Sequence, residues 1–280
     1  AFAIDFNQDI NNWDVSSVIS MGESYEHISG GMFEGASSFA QDLNSWDVSS
    51  VTNMKAMFEG AINFNHDISS WDVSSVTNIV RIFADAKHFN QDISDWDVSN
   101  KTSLWSMFNG ATNFNQDISS WDVSKVTSMP EMFKGATNFN QNLNSWDVSL
   151  VESMTGMFAF ASSFNQTLNN WNVSSVIKMG GSSSFYNGMF EGAYSFDQDL
   201  SMWNILKVEQ MDKIFKEIKL STENYDALLL SWSNQIPQDN VVFDAGFSQY
   251  TQDSLAQTAR STLIDTFGWT ISDGGSVEVQ

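Results

Sequence analysis

Aspartate recurs in this chain on a fixed interval. Asp47, Asp72, Asp97 and Asp122 mark a 25-residue period, and Asp67, Asp92 and Asp117 keep the same period just ahead of them. Carboxylates stacked in columns repel one another, and three arrangements relieve this: each caps its own turn by accepting a backbone N–H, water screens them, or Ca²⁺ bridges them. Calcium asks for about six to eight converging oxygens, whereas these Asp residues stand singly among Ser and Val. Turn capping is therefore the simpler expectation, with no resident cofactor and Ca²⁺ as the one ion to consider. Replacement of the carboxylates by Asn142, Thr167, Asn172 and Asn204 in later repeats argues against a continuous metal column.

Catalysis has little to draw on. The chain has three His residues, His27, His66 and His88, no Cys, no H-E-x-x-H and no triad spacing, so neither an enzyme nor a catalytic residue is expected. Acidic pairs for glycoside hydrolysis are the chemistry that 34 carboxylates leave open. A net charge of −22 works against nucleic-acid or anionic-membrane partners, which need clustered Lys and Arg. No apolar run of membrane-spanning length occurs, so no membrane insertion by this segment is expected.

The residues that must position this chemistry repeat as well. Trp46, Trp71, Trp96, Trp121, Trp146 and Trp171 follow the same 25-residue period, and Trp13 and Trp203 lie outside them at wider intervals that each contain one insertion. A fixed period of this size means stacked coils, and about eight can be aligned. With Trp71 as position 0, apolar residues recur at Val73 (+2), Val76 (+5), Ile79 (+8), Ile82 (+11), Phe83 (+12), Ala86 (+15), Phe89 (+18) and Ile93 (+22). Positions +8, +11, +12 and +15 have the i, i+3, i+4, i+7 spacing of a short helix, and residues 68–73 read as a short strand. The expected fold is an α/β solenoid, leucine-rich-repeat-like, each coil a short strand plus a short helix, over residues 1–219. The repeat then stops. Residues 220–280 read as a small α/β cap with helices at 222–232 and 255–267, strands at 241–243 and 269–271, and Gly268 closing the second helix. The chain opens inside a repeat, as expected of a fragment of a larger protein.

Columns also carry polar residues. Asn65, Asn90, Asn115, Asn140 and Asn165, with Gln beside them, are expected to form a structural hydrogen-bonded ladder. Departures from the columns point better toward ligands. Positions +9 and +10 vary most and are expected outward: Lys55, Arg81, Trp105 and Glu131 stand there. Trp105 is a binding candidate as an exposed indole, or else it lies over a neighbouring coil. Lys101 replaces the Val of the +5 column. Its stem is expected to cover the gap while its ammonium reaches water, and the sharper alternative joins it to Trp105 in a local site. Two insertions follow the +8 Met, one bearing Tyr25 and His27, the other Phe185 and Tyr186. They either hold a ligand between them or seal the ends of the regular stack.

The repeated text, Phe114-Asn115-Gln116-Asp117-Ile118-Ser119-Ser120-Trp121-Asp122-Val123-Ser124 with Met132-Phe133 and Gly135-Ala136 following, is similar to the BspA-type leucine-rich-repeat surface proteins. The ending, Gly268-Trp269-Thr270-Ile271-Ser272-Asp273-Gly274-Gly275, resembles the usual close of such arrays. The resemblance implies extracellular or cell-surface display and adhesion to a protein ligand on a host, neighbour cell or matrix, with a glycan ligand or a calcium-stabilised spacer as the alternatives.

Overall fold

The computed structural model describes residues 3–22, 30–181, 183 and 185–278. Tyr25 and His27 lie outside the described residues.

The repeats form a stack in which every coil lies directly over the last. All nine inward positions of the coil at Trp71 are buried, none more than 4% exposed. Hydrogen bonds explain how one short coil can turn that many side chains inward. Within this coil, six N–H groups each bond the carbonyl three residues back: five close turns at 68–71, 73–76, 79–82, 83–86 and 86–89, a sixth bridges 81–84, and Ile93 opens the next such turn. Every inward residue is the first or last member of one of these turns. The coil is thus a chain of tight corners with its apolar residues at the corner ends.

The short helix expected over +8 to +15 is not there. Two consecutive four-residue turns, with a third bridging their junction, occupy the stretch, and four-residue turns laid end to end put apolar residues at i, i+3, i+4 and i+7 just as a helix does. The third residue of each has positive φ, as in Ala56 (56°) and Gly60 (69°), a conformation that type II turns require and that a continuing helix forbids. Glycine tolerates this at +14, and where Asp85 (55°) or Phe160 (58°) stands instead, the stack holds an L-residue in a strained region. The remaining N–H groups leave the coil: Met54, Ala56, Phe58 and Gly60 donate to Asn78, Val80, Ile82 and Ala84 of the next, at 2.7–2.9 Å. The strand expected at 68–73 is also absent. Coil pairing shows instead as single parallel bridges at +7, through Asn53↔Asn78 and Ser103↔Ser128↔Ser153↔Lys178↔Gln210.

Side chains repeat the pattern. Each coil stacks its +12 Phe on its +18 Phe at about 4 Å, as in Phe83–Phe89 (3.8 Å), and the +12 rings continue from coil to coil, as in Phe83–Phe108 (5.8 Å). The indole Nε1 of Trp71, Trp96, Trp121 and Trp146 donates to the carbonyl of Leu43, Ile68, Ile93 and Ile118 respectively, at 3.0–3.2 Å. The Asn column is a ladder of a particular kind: each Oδ1 accepts the backbone N–H of the next Asn, from Asn65 through Asn90, Asn115 and Asn140 to Asn165 at 2.8–2.9 Å. Asn115 Oδ1 also accepts Gln141 Nε2 at 2.9 Å. Asn115→Ala leaves two donors without that acceptor and is expected to cost about 1–2 kcal/mol in urea unfolding; a change below about 0.3 kcal/mol would mean that water replaces the ladder.

After Leu220 helices replace the turns. The cap consists of α1 (Thr222–Ser233), β1 (Val242–Asp244), β2 (Tyr250–Thr251), α2 (Leu255–Phe267), β3 (Thr270–Ser272) and β4 (Ser276–Val277). Ser221 and Ser254 cap the helices' N-termini; Gly268, as expected, closes α2 in the left-handed conformation. A parallel bridge from Met211 to Phe243, and β1 pairing with β3 in parallel, carry the ladder of the stack through the cap. Asp273 locks it by accepting Tyr225 Oη at 2.8 Å and Arg260 Nε at 2.6 Å, and the guanidinium lies 5.2 Å above the Tyr250 ring. Burial and the Asp273 charge push the Tyr225 phenol far above its ordinary range.

Candidate functional site

A groove of about 500 Å³ crosses the coils from Trp105 to the second insertion. Its floor is the +7 column, Ser103, Ser128, Ser153, Lys178 and Gln210, the residues whose parallel bridges fix the rung spacing. Beside them run Trp105, Pro130, Thr155 and Gly180 of the +9 column, with Glu131 at +10. Gly180 has no room for a side chain, since a Cβ there would lie 2.0 Å from the Asp212 carbonyl oxygen. Phe185 and Tyr186 form the far wall. Three large aromatic side chains thus face solvent around one depression: Trp105 is 44% exposed, Phe185 86% and Tyr186 56%.

The wall is held in place. Lys213 Nζ donates to the carbonyls of Ser183 (3.2 Å) and Tyr186 (3.0 Å), and Phe185 N–H donates to Ser183 Oγ (3.2 Å). Its base is anchored on the buried Glu191, which accepts Asn187 Nδ2 (2.8 Å), Gly188 N–H (3.2 Å) and Lys216 Nζ (2.9 Å). Burial pushes the Glu191 carboxyl up, but these donors together outweigh it and keep the group below the ordinary carboxylate range. Aromatic residues whose backbone is tied down before a ligand arrives have less entropy to lose on binding.

The structure brings Trp105, Glu131, Phe185 and Tyr186 together and separates them from the other candidates. Glu131 sits at the rim with Oε1 on Lys134 Nζ (2.7 Å) and Oε2 accepting Ser106 Oγ (3.3 Å). Arg81, expected outward, is partly buried and paired in a fork with Glu59, whose hydrogen bond raises its pKa. Lys55 stands in the same +9 column as Trp105, two coils earlier and outside the groove lining. The +10 positions are a further correction: Ala56 and Ser106 are fully buried, because the positive φ of that turn residue turns the side chain back between coils. Lys101 departs from both expectations. It is 0% exposed, its ammonium reaches no water and does not line the groove, and it donates to the carbonyls of Val73 (3.0 Å) and Asp97 (3.1 Å) and to Asn100 Oδ1. The first insertion lies almost wholly outside the described residues, and the groove is lined by Trp105 and the second.

The Asp columns are turn caps. Asp47, Asp72, Asp97 and Asp122 accept the N–H of the Ser two residues on at 2.9–3.0 Å, and Asp67, Asp92 and Asp117 do the same at 2.9 Å. The Ser hydroxyls and N–H groups hold these exposed carboxyls below their ordinary pKa. Among the described residues, no three acidic or His side chains converge as a metal-holding group, and no helix is long and apolar enough to cross a membrane.

Sequence reasoning missed the groove floor and Lys213. Lys178 is visible by the same signal as Lys101, since it breaks a column otherwise made of Ser20, Asn53, Asn78, Ser103, Ser128, Ser153 and Gln210. Lys213 carries no such signal, because +10 is variable throughout.

Stacked coils with a shallow aromatic and hydroxyl-lined groove define a repeat protein whose variable residues sit on a recurrent frame. The chain belongs to the family described as Mycoplasma protein of unknown function, DUF285, which it matches over residues 5–107, 93–187 and 181–248. No curated protein and no solved structure matches it.

Proposed function

We propose that this chain is the ligand-binding module of a secreted or cell-surface adhesion protein, a leucine-rich-repeat-like solenoid of the BspA type that docks a protein of a host, neighbour cell or matrix in the groove between Trp105 and Tyr186. The observation that carries this reading is the exposure of Trp105, Phe185 and Tyr186 together around one depression, whereas the other strongly exposed rings among the described residues, Trp13, Tyr194 and Phe247, lie outside it. Exposed aromatic side chains beside a rigid backbone are the usual hot spots of protein recognition. Membership of a repeat family and the FNQDISSWDVS resemblance support surface display. A glycan is the second reading, favoured by the row of Ser hydroxyls and Gln210 beside faces on which sugars can stack.

The test is binding of the whole chain to immobilised matrix proteins, cell-surface glycoproteins and an oligosaccharide array, with Trp105→Ala and Tyr186→Ala as variants. Each substitution is expected to weaken the bound partner at least about tenfold while leaving thermal unfolding within a degree or two, since both side chains face solvent. Binding that survives both substitutions unchanged would remove the groove from consideration.

A further inference from the structure

The chemistry of the groove's two ends narrows the ligand. Lys178 is exposed in the floor, in a chain with 12 basic residues against 34 acidic. Other cations near the groove are engaged: Lys134 pairs with Glu131, Lys216 with Glu191, and Lys213 holds loop carbonyls. Among the described residues no carboxylate or carbonyl engages the Lys178 ammonium. A solvent-facing positive charge between the Tyr186 wall, the Ser153 hydroxyl and the Gln210 amide complements an anion, and the general acidity of the chain leaves few other places where an anion is welcome. At the other end, the Trp105 indole offers an apolar face.

The two ends are three rungs apart, about 14 Å at a rung spacing of about 4.8 Å. An extended peptide rises about 3.4 Å per residue and points residues i and i+4 to the same side, so four residues also span about 14 Å. We propose that the groove takes an extended peptide segment of a protein partner lying along the stack axis, with an Asp or Glu side chain on Lys178. An aromatic or large aliphatic side chain four positions away packs on Trp105. This inference rests on the reading of the groove as the binding site.

A randomised peptide display selection against the full chain tests it, followed by affinity measurement of the selected peptides on wild type, Lys178→Ser, Lys178→Glu and Trp105→Ala. Lys178→Ser installs the residue that the three preceding coils carry at this position, so the fold is retained. Selected peptides are expected to share an acidic residue about four positions from an apolar one. Lys178→Ser is expected to weaken them about tenfold, in line with loss of one charge-assisted hydrogen bond, and a selection on Lys178→Glu is expected to return Lys or Arg at that position. Peptides sensitive to Trp105→Ala but not to Lys178→Ser would overturn the acidic anchor and leave the groove standing. Peptides insensitive to both would overturn the groove reading as well. A selection that yields no binder, with uronic or sialic oligosaccharides bound through Lys178, would transfer the site to acidic glycans and end the peptide proposal.

Discussion

Phe108→Ala is expected to lower the unfolding free energy by about 3–5 kcal/mol, the range for removing a buried aromatic ring from a packed core. Phe108 is 0% exposed and packs on Phe114 at 3.9 Å, on Phe83 and Phe133 at 5.8 and 5.7 Å, and on Trp121 at 6.3 Å. A cavity here opens beside both neighbouring coils, whose backbones are tied by rung hydrogen bonds and cannot close in to fill it. Because each coil touches only its neighbours, the substitution should couple with Phe133→Ala on the next rung and add simply to Phe190→Ala further along. Urea denaturation of the single and double variants measures both quantities. A loss for Phe108→Ala no larger than that of trimming a single buried methyl, or equal coupling at the two distances, would contradict a continuous ring stack as the source of stability.

Lys101→Met is expected to stabilise the protein at pH 7 by about 1–3 kcal/mol, the gain seen when a buried charge gives way to an apolar side chain of similar volume. Burial pulls the Lys101 ammonium down to about 8 from 10.5, in spite of Asp97 and Asp72 nearby. That difference is worth about 3 kcal/mol against the charged form. Methionine keeps most of the volume without the charge, and the carbonyls of Val73 and Asp97 tolerate the loss of a donor better than N–H groups would. The pH dependence identifies the cause. Between about pH 8 and 10.5 the unfolded chain holds the Lys101 proton and the folded chain does not, so wild-type stability rises with pH through that window. The advantage of Lys101→Met should therefore shrink by about 3 kcal/mol from pH 7.5 to 10.5, with all other titrations cancelling in the difference. A gap that stays constant with pH would show that packing, not charge, sets the effect.

The inward positions are legible in the sequence because burial is periodic: the nine core positions at Trp71 are those marked by apolar residues. The type of local structure is not, since +8, +11, +12 and +15 satisfy a helix and a pair of consecutive turns equally well. Gly60, Gly110 and Gly135 are the available discriminators. Glycine on a 25-residue interval in mid-element signals a positive φ at every rung, which a helix cannot accommodate. The cap is read more closely because its signals are conventional ones: apolar runs at helical spacing and a Gly after α2, although the N-cap that the sequence suggests at Thr222 falls one residue earlier, at Ser221.

The site is legible in part for a related reason. Trp105 and the Phe185–Tyr186 insertion announce themselves by breaking a column, but nothing in one dimension says that three rungs bring them to the same depression. Lys101 breaks its column just as visibly and points inward, because the +5 position is the end of an inward turn whatever residue fills it.

The hydrogen bonds between coils run along the stack axis, whereas the backbone runs across it, and with no Cys in the chain nothing covalent beyond the backbone joins one coil to the next. The molecule is in this sense a spool. Tension applied along the chain strips a terminal coil without deforming those behind it, releasing one 25-residue repeat as about 85 Å of extended chain for about 4.8 Å of stack height lost. A stack wound this way lengthens by whole turns under load, and a groove spanning the middle coils keeps its shape until the unwinding reaches it.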